Sequence, residues 1–182
     1  MTESHRGPRV RSDIVDVYIA RRGLLGLEFL QLLRRTDPMR GTWQPVMGHI
    51  EAGETAVAAA KREAAEEVGL VMGPALDSAS STLVSASPAI GSAPPLLLGL
   101  WQLEQVHPFF LAASDEIVMS PRFIAEVGQM WKPVLNHEHS EWRWVQEAKV
   151  NELFVWPGQR LSISEAGRVM RGDISAEALR IV

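Results

Sequence analysis

Glu63, Glu66 and Glu67 are three carboxylates at i, i+3 and i+4 in an alanine-rich stretch, residues 55–68. In a helix that spacing sets side chains beside one another. At 100° per residue the acids fill a wedge roughly 100° wide. Like charges so placed repel by a few tenths of a kcal/mol per pair, roughly, in an isolated helix, and Lys61 and Arg62 relieve only part of that. A divalent cation reverses the sign. Mg2+ and Mn2+ are hard ions that take carboxylate oxygens, keep several waters and commonly complete their coordination with substrate phosphates. The acidic face therefore reads as a site for a hard cation and a phosphate-bearing compound.

The elements that must position these acids follow from the flanking residues. Val57, Ala60, Ala64 and Val68 form an apolar stripe beside the acids, so one side of the helix packs on a sheet while the neighbouring side binds. Ahead of it, Gly48 and Gly53 allow close backbone approach, so that a carbonyl or amide can point into the site. Gly69 suits a left-handed stop. Upstream, near-alternating β-branched and aromatic residues predict a strand over residues 13–20, a turn at Arg21-Arg22-Gly23 and a second strand over 24–33, hence a hairpin. Arg34 and Arg35 at its end offer planar forks of donors suited to phosphate. After a loop containing Pro38 and Gly41, residues 42–46 lead into the glycines.

Downstream, residues 73–95 are rich in Ser, Ala, Gly and Pro and predict a long inserted loop, with a short strand at 81–85. Further strands are expected over 96–106, 120–127 and 140–145. Helices are expected over 147–154 and 159–170, broken by Trp156-Pro157-Gly158. The pattern is α/β: a mixed central sheet with helices on its faces. His137 and His139 share one face of a strand and so could ligate zinc, but no further ligands are evident.

Gly48, Glu54, Arg62-Glu63, Glu66-Glu67 and Gly69, with an aliphatic residue after it, together resemble the Nudix box at every fixed position. Seven fixed residues at about 7 % background each match by chance on the order of 10⁻⁸ per window. Ala64 departs only in size from the larger aliphatic residue also common there. The resemblance implies the Nudix α/β/α sandwich and hydrolysis of a phosphoanhydride bond with Mg2+, Mn2+ being an alternative. It implies Glu63, Glu66 and Glu67 as metal ligands and catalytic acids, assisted by the Gly48 carbonyl, with Glu54 and Arg62 in supporting roles. It also implies that a glutamate ahead of the last strand adds a metal ligand or the catalytic base. Glu138 is the candidate and Glu141 the reserve.

Residues 32–38, 42–55, 138–145 and 155–163 are similar to the branch containing dihydroneopterin triphosphate pyrophosphatase. The long 73–95 segment and the C-terminal extension over 171–182 depart from it and leave substrate identity open. The resemblance thus implies cleavage of a nucleoside or pterin triphosphate to monophosphate and pyrophosphate. ADP-ribose, dinucleoside polyphosphates and oxidised nucleotides stay open as alternatives, as does a non-catalytic nucleotide-binding module. Trp43 and Trp156, which flank loops, are the candidates to stack on a base or pterin ring.

Composition bounds the rest. With 182 residues, 46 % of them hydrophobic, the chain suits a single domain, expected over 13–170 behind a flexible stretch at 1–12. The lack of cysteine excludes disulfides and thiolate zinc sites. The N-terminus has no signal-type apolar core, and no run of 18 apolar residues occurs, so a cytoplasmic protein is expected. A net charge of −4 offers no broad attraction to nucleic acid or anionic membrane. The expected partner is a small phosphoanhydride, approached through metal ions and local arginines; monomer and homodimer are not distinguished.

Overall fold

The structure, a computed structural model, describes residues 7–37, 39–72, 97–174 and 176–182. The expected 73–95 insertion and the short strand within it lie outside the described residues. The main sheet is built on β2 (Ile14–Gly23) and β3 (Gly26–Arg34), an antiparallel hairpin. β10 (His139–Gln146) pairs antiparallel with the outer side of β3, and β9 (Arg122–Val127) pairs parallel with β2. β6 (Leu97–Gln102) closes that end antiparallel to β9, giving the order β10-β3-β2-β9-β6. Two short strands, β4 (Trp43–Gln44) on β3 and β5 (Val46–His49) on β2, complete a mixed sheet.

Alternation along β2 divides the core. Val15, Val17 and Ile19 face α1 (Ala56–Val68), where Ala59, Ala60, Ala64 and Val68 are buried with Leu30 and Leu32. Tyr18 and Ala20 face the other way, toward Ile163, Ala166 and Val169 of α3 (Pro157–Arg171). Helices thus cover both faces of one sheet, an α/β/α sandwich. α1 begins where the Thr55 hydroxyl accepts the Ala58 N–H at 3.2 Å, and it ends at Gly69, whose φ of 69° is the left-handed stop. α3 starts with Pro157, whose missing N–H costs nothing at a first helical position. Between β10 and α3, the expected helix over 147–154 is a 3₁₀ turn at Glu147–Lys149 followed by α2 (Val150–Leu153).

The hairpin turn lies three residues beyond its expected place. β2 continues through Arg21, Arg22 and Gly23, and the turn is Leu24-Leu25. Those leucines are 94 % and 82 % exposed, so their apolar character misleads a reading by pattern. Gly26 accepts φ of 121°, and Arg21 donates to Glu28 across the pair at 2.7 Å.

A small second sheet was not foreseen: β1 (Arg9–Arg11), β8 (Glu116–Val118) and β7 (Phe109–Leu111), in the order β1-β8-β7. It orders residues 9–11 inside the stretch expected to be flexible. The buried Glu116 carboxylate accepts from both Arg9 and Arg11, which hold its pKa down to about 2. The segment after α3 runs back to β6, where Ile181 N–H donates to the Leu100 carbonyl at 2.7 Å and Leu100 N–H to Val182 at 3.0 Å. Among the described residues no helix is long and apolar enough to cross a membrane.

Candidate functional site

α1 turns two of its three acids inward. Glu67 is 2 % exposed and Glu63 9 %, whereas Glu66 remains exposed. Glu63 lies directly over Gly48 of β5, close enough that a Cβ on Gly48 would stand 1.8 Å from the Glu63 Cδ. The carboxylate fills the space that any other side chain would occupy.

Arg62 gathers the acids at the outer side of the helix. Its Nε and Nη2 donate to Glu54 at 3.1 and 3.0 Å, and its Nη1 to Glu63 at 2.8 Å and Glu66 at 3.2 Å. Nη2 also donates to the His49 carbonyl at 2.7 Å, which ties the helix to the end of β5. The Glu54 carboxylate accepts the Glu51 N–H at 3.0 Å, and the bonds from Arg62 hold its pKa below the usual range. The same bonds, those to Glu54 foremost, raise the pKa of Arg62, so the guanidinium stays charged. Arg62 and Glu54 thus brace the loop that delivers Gly48.

Glu67 is the most perturbed of the acids. Its carboxylate accepts from the Met47 N–H, while Oε2 is buried with no hydrogen-bond partner among the described residues. Burial, followed by the charges of Glu63 and Glu138, pushes its pKa up to about 9. Burial also raises the pKa of Glu63, opposed by Arg62. A carboxyl whose ionisation is opposed by burial and by two neighbouring acids is poised to accept a cation.

Glu138 reaches this cluster from the opposite border of the sheet, in the turn before β10. Arg34, at the end of β3, pairs with it at 2.5 Å, and the Arg35 N–H donates to its carbonyl at 2.7 Å. A β-bulge makes this possible. Trp142 and Trp144 pair with Leu32 and Leu30 on the α1 face, so simple alternation would turn His139 to the other face. The register shift between His139 and Glu141 leaves Ser140 extra and sets His139 opposite Arg34, on the α1 face. His139 is buried there, with Nδ1 at 3.3 Å from Asn136 Oδ1 and Nε2 at 3.4 Å from Gln44 Nε2. Burial, then the Arg34 charge, lowers its pKa to about 4, so it is a neutral part of the interior.

The structure therefore brings together Gly48, Glu54, Arg62, Glu63, Glu66, Glu67, Arg34 and Glu138. The Arg35 side chain is exposed, and Glu141, opposite Leu33, is turned to the other sheet face. Trp43 also pairs with Leu33 on that face, and the Arg143 guanidinium covers its ring at 4.0 Å. Trp156 is 41 % exposed at the start of α3. Sequence reading missed Asn136, Gln44 and the Met47 amide. Only Asn136 carried a signal, as an Asn two residues before the candidate acid Glu138 is a common turn former.

Among the described residues no three His, Asp or Glu side chains converge, as they stand, to ligate one ion. Glu63 is engaged by Arg62 and Glu138 by Arg34. The donor set fits a hard divalent cation all the same: oxygens alone, one of them buried and unpartnered, beside a glycine that leaves room.

The family model for the NUDIX domain matches residues 13–165. No curated protein matches the chain in sequence. Similar solved structures include an Ap4A hydrolase of C. elegans in a binary complex, 19 % identical, covering 89 % of this chain and 99 % of that one with a TM-score of 0.64. The dihydroneopterin triphosphate pyrophosphohydrolase of E. coli is 22 % identical, with coverages of 88 % and 97 % and a TM-score of 0.58. The NUDIX domain of Shewanella oneidensis NrtR, complexed with ADP ribose, is 15 % identical, with coverages of 94 % and 93 % and a TM-score of 0.56. At these identities the likeness is one of fold.

Proposed function

Because the chain belongs to the NUDIX family, we propose that it is a cytoplasmic, Mg2+-dependent hydrolase that cleaves a nucleoside or pterin triphosphate to monophosphate and pyrophosphate. The observation that carries this reading is the buried, unpartnered Glu67 oxygen beside Glu63 and Glu138. Glu63, Glu66 and Glu67 with the Gly48 carbonyl would hold Mg2+ or Mn2+, which when bound neutralises phosphate oxygens and acidifies water.

The chain's own residues supply the rest. Arg34 is a ready donor to phosphate oxygens, and an arriving phosphate competes with Glu138 for it. Glu138, released from that arginine, then faces the site as an acceptor able to take a proton from the attacking water. Oxygen from water bonds to phosphorus, the bond from phosphorus to the bridging oxygen breaks, and pyrophosphate departs with its electron pair. Arg35, next in the chain to Arg34, has an exposed guanidinium free to meet an outer phosphate, and Trp156 offers an exposed ring for the base or pterin. Trp43 is the weaker stacker because Arg143 already covers it. Glu54 and Arg62 hold the glycine loop against the helix.

The test is product identity with Mg2+ on dihydroneopterin triphosphate, ATP, dATP, Ap4A and ADP-ribose, separated by anion-exchange chromatography. The expected result is monophosphate plus pyrophosphate, formed fastest from a triphosphate. Cleavage confined to Ap4A or ADP-ribose, compounds named with two of the similar structures, moves the substrate assignment. Cleavage of nothing on the panel retires the hydrolase in favour of a nucleotide-binding module.

A further inference from the structure

We propose that Asn136 is a positioning residue of this site, a clasp that fixes Glu138 relative to Glu67. The inference rests on the hydrolase reading above. Asn136 joins the two acids through different atoms. Its backbone N–H donates to the Glu67 carbonyl at 3.2 Å, and nearby the Val134 N–H donates to the Val68 carbonyl at 3.0 Å. The segment ahead of β10 is thereby laid along the last turn of α1. The Asn136 Oδ1 accepts the Glu138 N–H at 3.0 Å, so the same residue holds the base at one end and the helix at the other.

His139 locks that oxygen in place. Its Nδ1 lies 3.3 Å from the Asn136 Oδ1, an acceptor already fixed in orientation by the Glu138 amide. A proton therefore sits on Nδ1. Nε2 faces the Gln44 amide nitrogen at 3.4 Å and accepts, which is the arrangement of a neutral ring. The bulge at Ser140 brings His139 to this face, so bulge, histidine and asparagine form one unit whose output is the placement of Glu138.

Removing the Asn136 side chain leaves both backbone bonds to α1 in place, so Asn136→Ala keeps the fold and frees the Glu138 amide. A misplacement near 1 Å at a reacting group costs up to about 10²-fold. The expected result is a kcat about tenfold lower with KM within about twofold of the wild type. In the Glu138→Gln background the same substitution causes no further loss, because its effect passes through Glu138. Asn136→Asp retains an acceptor oxygen and keeps kcat within about threefold.

Two readouts on the metal-free protein stand apart from activity. Nitrogen NMR finds His139 as the Nδ1–H tautomer in the wild type, and the Glu138 amide exchanges with solvent about tenfold faster in Asn136→Ala. Undiminished kcat in Asn136→Ala, an equal further loss in the Glu138→Gln background, or unchanged exchange of the Glu138 amide overturns the clasp. Full activity of Glu138→Gln instead overturns the role given to Glu138, and the clasp with it.

Discussion

Glu67→Gln is expected to lower kcat by about 10³-fold or more and at the same time to make the metal-free protein more stable in mild alkali. The first effect follows from the loss of a proposed cation ligand, since charge stabilisation at a phosphoryl group is worth several kcal/mol, roughly tenfold per 1.4. The second follows from linkage. Burial and the neighbouring Glu63 and Glu138 raise the Glu67 pKa from 4.5 to about 9, so the folded protein binds this proton more tightly than the unfolded chain. The stability contributed by that proton is full below pH about 4.5 and is lost as pH rises through about 9. Glutamine cannot ionise, so the variant lacks this loss. Urea midpoints without metal, taken from pH 5 to 9, should fall more steeply for the wild type than for the variant. A metal-free variant with the wild-type pH slope contradicts the assignment of Glu67 as the strained acid.

Gly48→Ala is expected to cost about 10²-fold in kcat with a change in stability within about 1 kcal/mol. The new Cβ would lie 1.8 Å from the Glu63 Cδ and 1.9 Å from its Oε1. The atoms in its way belong to the end of a flexible side chain, so the backbone of β5 stays paired with β2 and the carboxylate moves instead. A ligand displaced by an ångström or more is a large loss for chemistry and a small one for folding. Steady-state kinetics beside urea unfolding separates the two. Wild-type kcat in Gly48→Ala would mean that Glu63 does not act from its observed position.

The contrast between these two positions also shows what the amino-acid sequence makes legible. Residues 48–70 disclose both the helix and its acids, because capping residue, glycines, apolar stripe and carboxylates act locally. The pairings of the sheet follow in outline from alternation. Register does not. A shift of one residue exchanges the faces of a strand, and the decisive shift, at Ser140, leaves no mark in the local pattern. Arg34 and Glu138 could therefore each be named as candidates, while their pairing depended on that bulge. Trp43, one residue from Gln44, lies on the far face for the same reason. The small β1-β8-β7 sheet escaped because strands of three residues show no usable period, and its hold is an ion pair spanning residues 9–116. Exposed leucines displaced the hairpin turn, where solvent contact rather than composition decides the conformation.

Counting the Mn2+ ions bound at pH 8, by loss of the free-ion EPR signal, tests the proposed cation site of Glu63, Glu66 and Glu67 most directly. The wild type should bind at least one Mn2+, more tightly as pH rises because the ligands must lose protons. Glu67→Gln should bind it at least about tenfold more weakly. Equal affinity in the two proteins, or no Mn2+ bound by the wild type, would contradict the cation site.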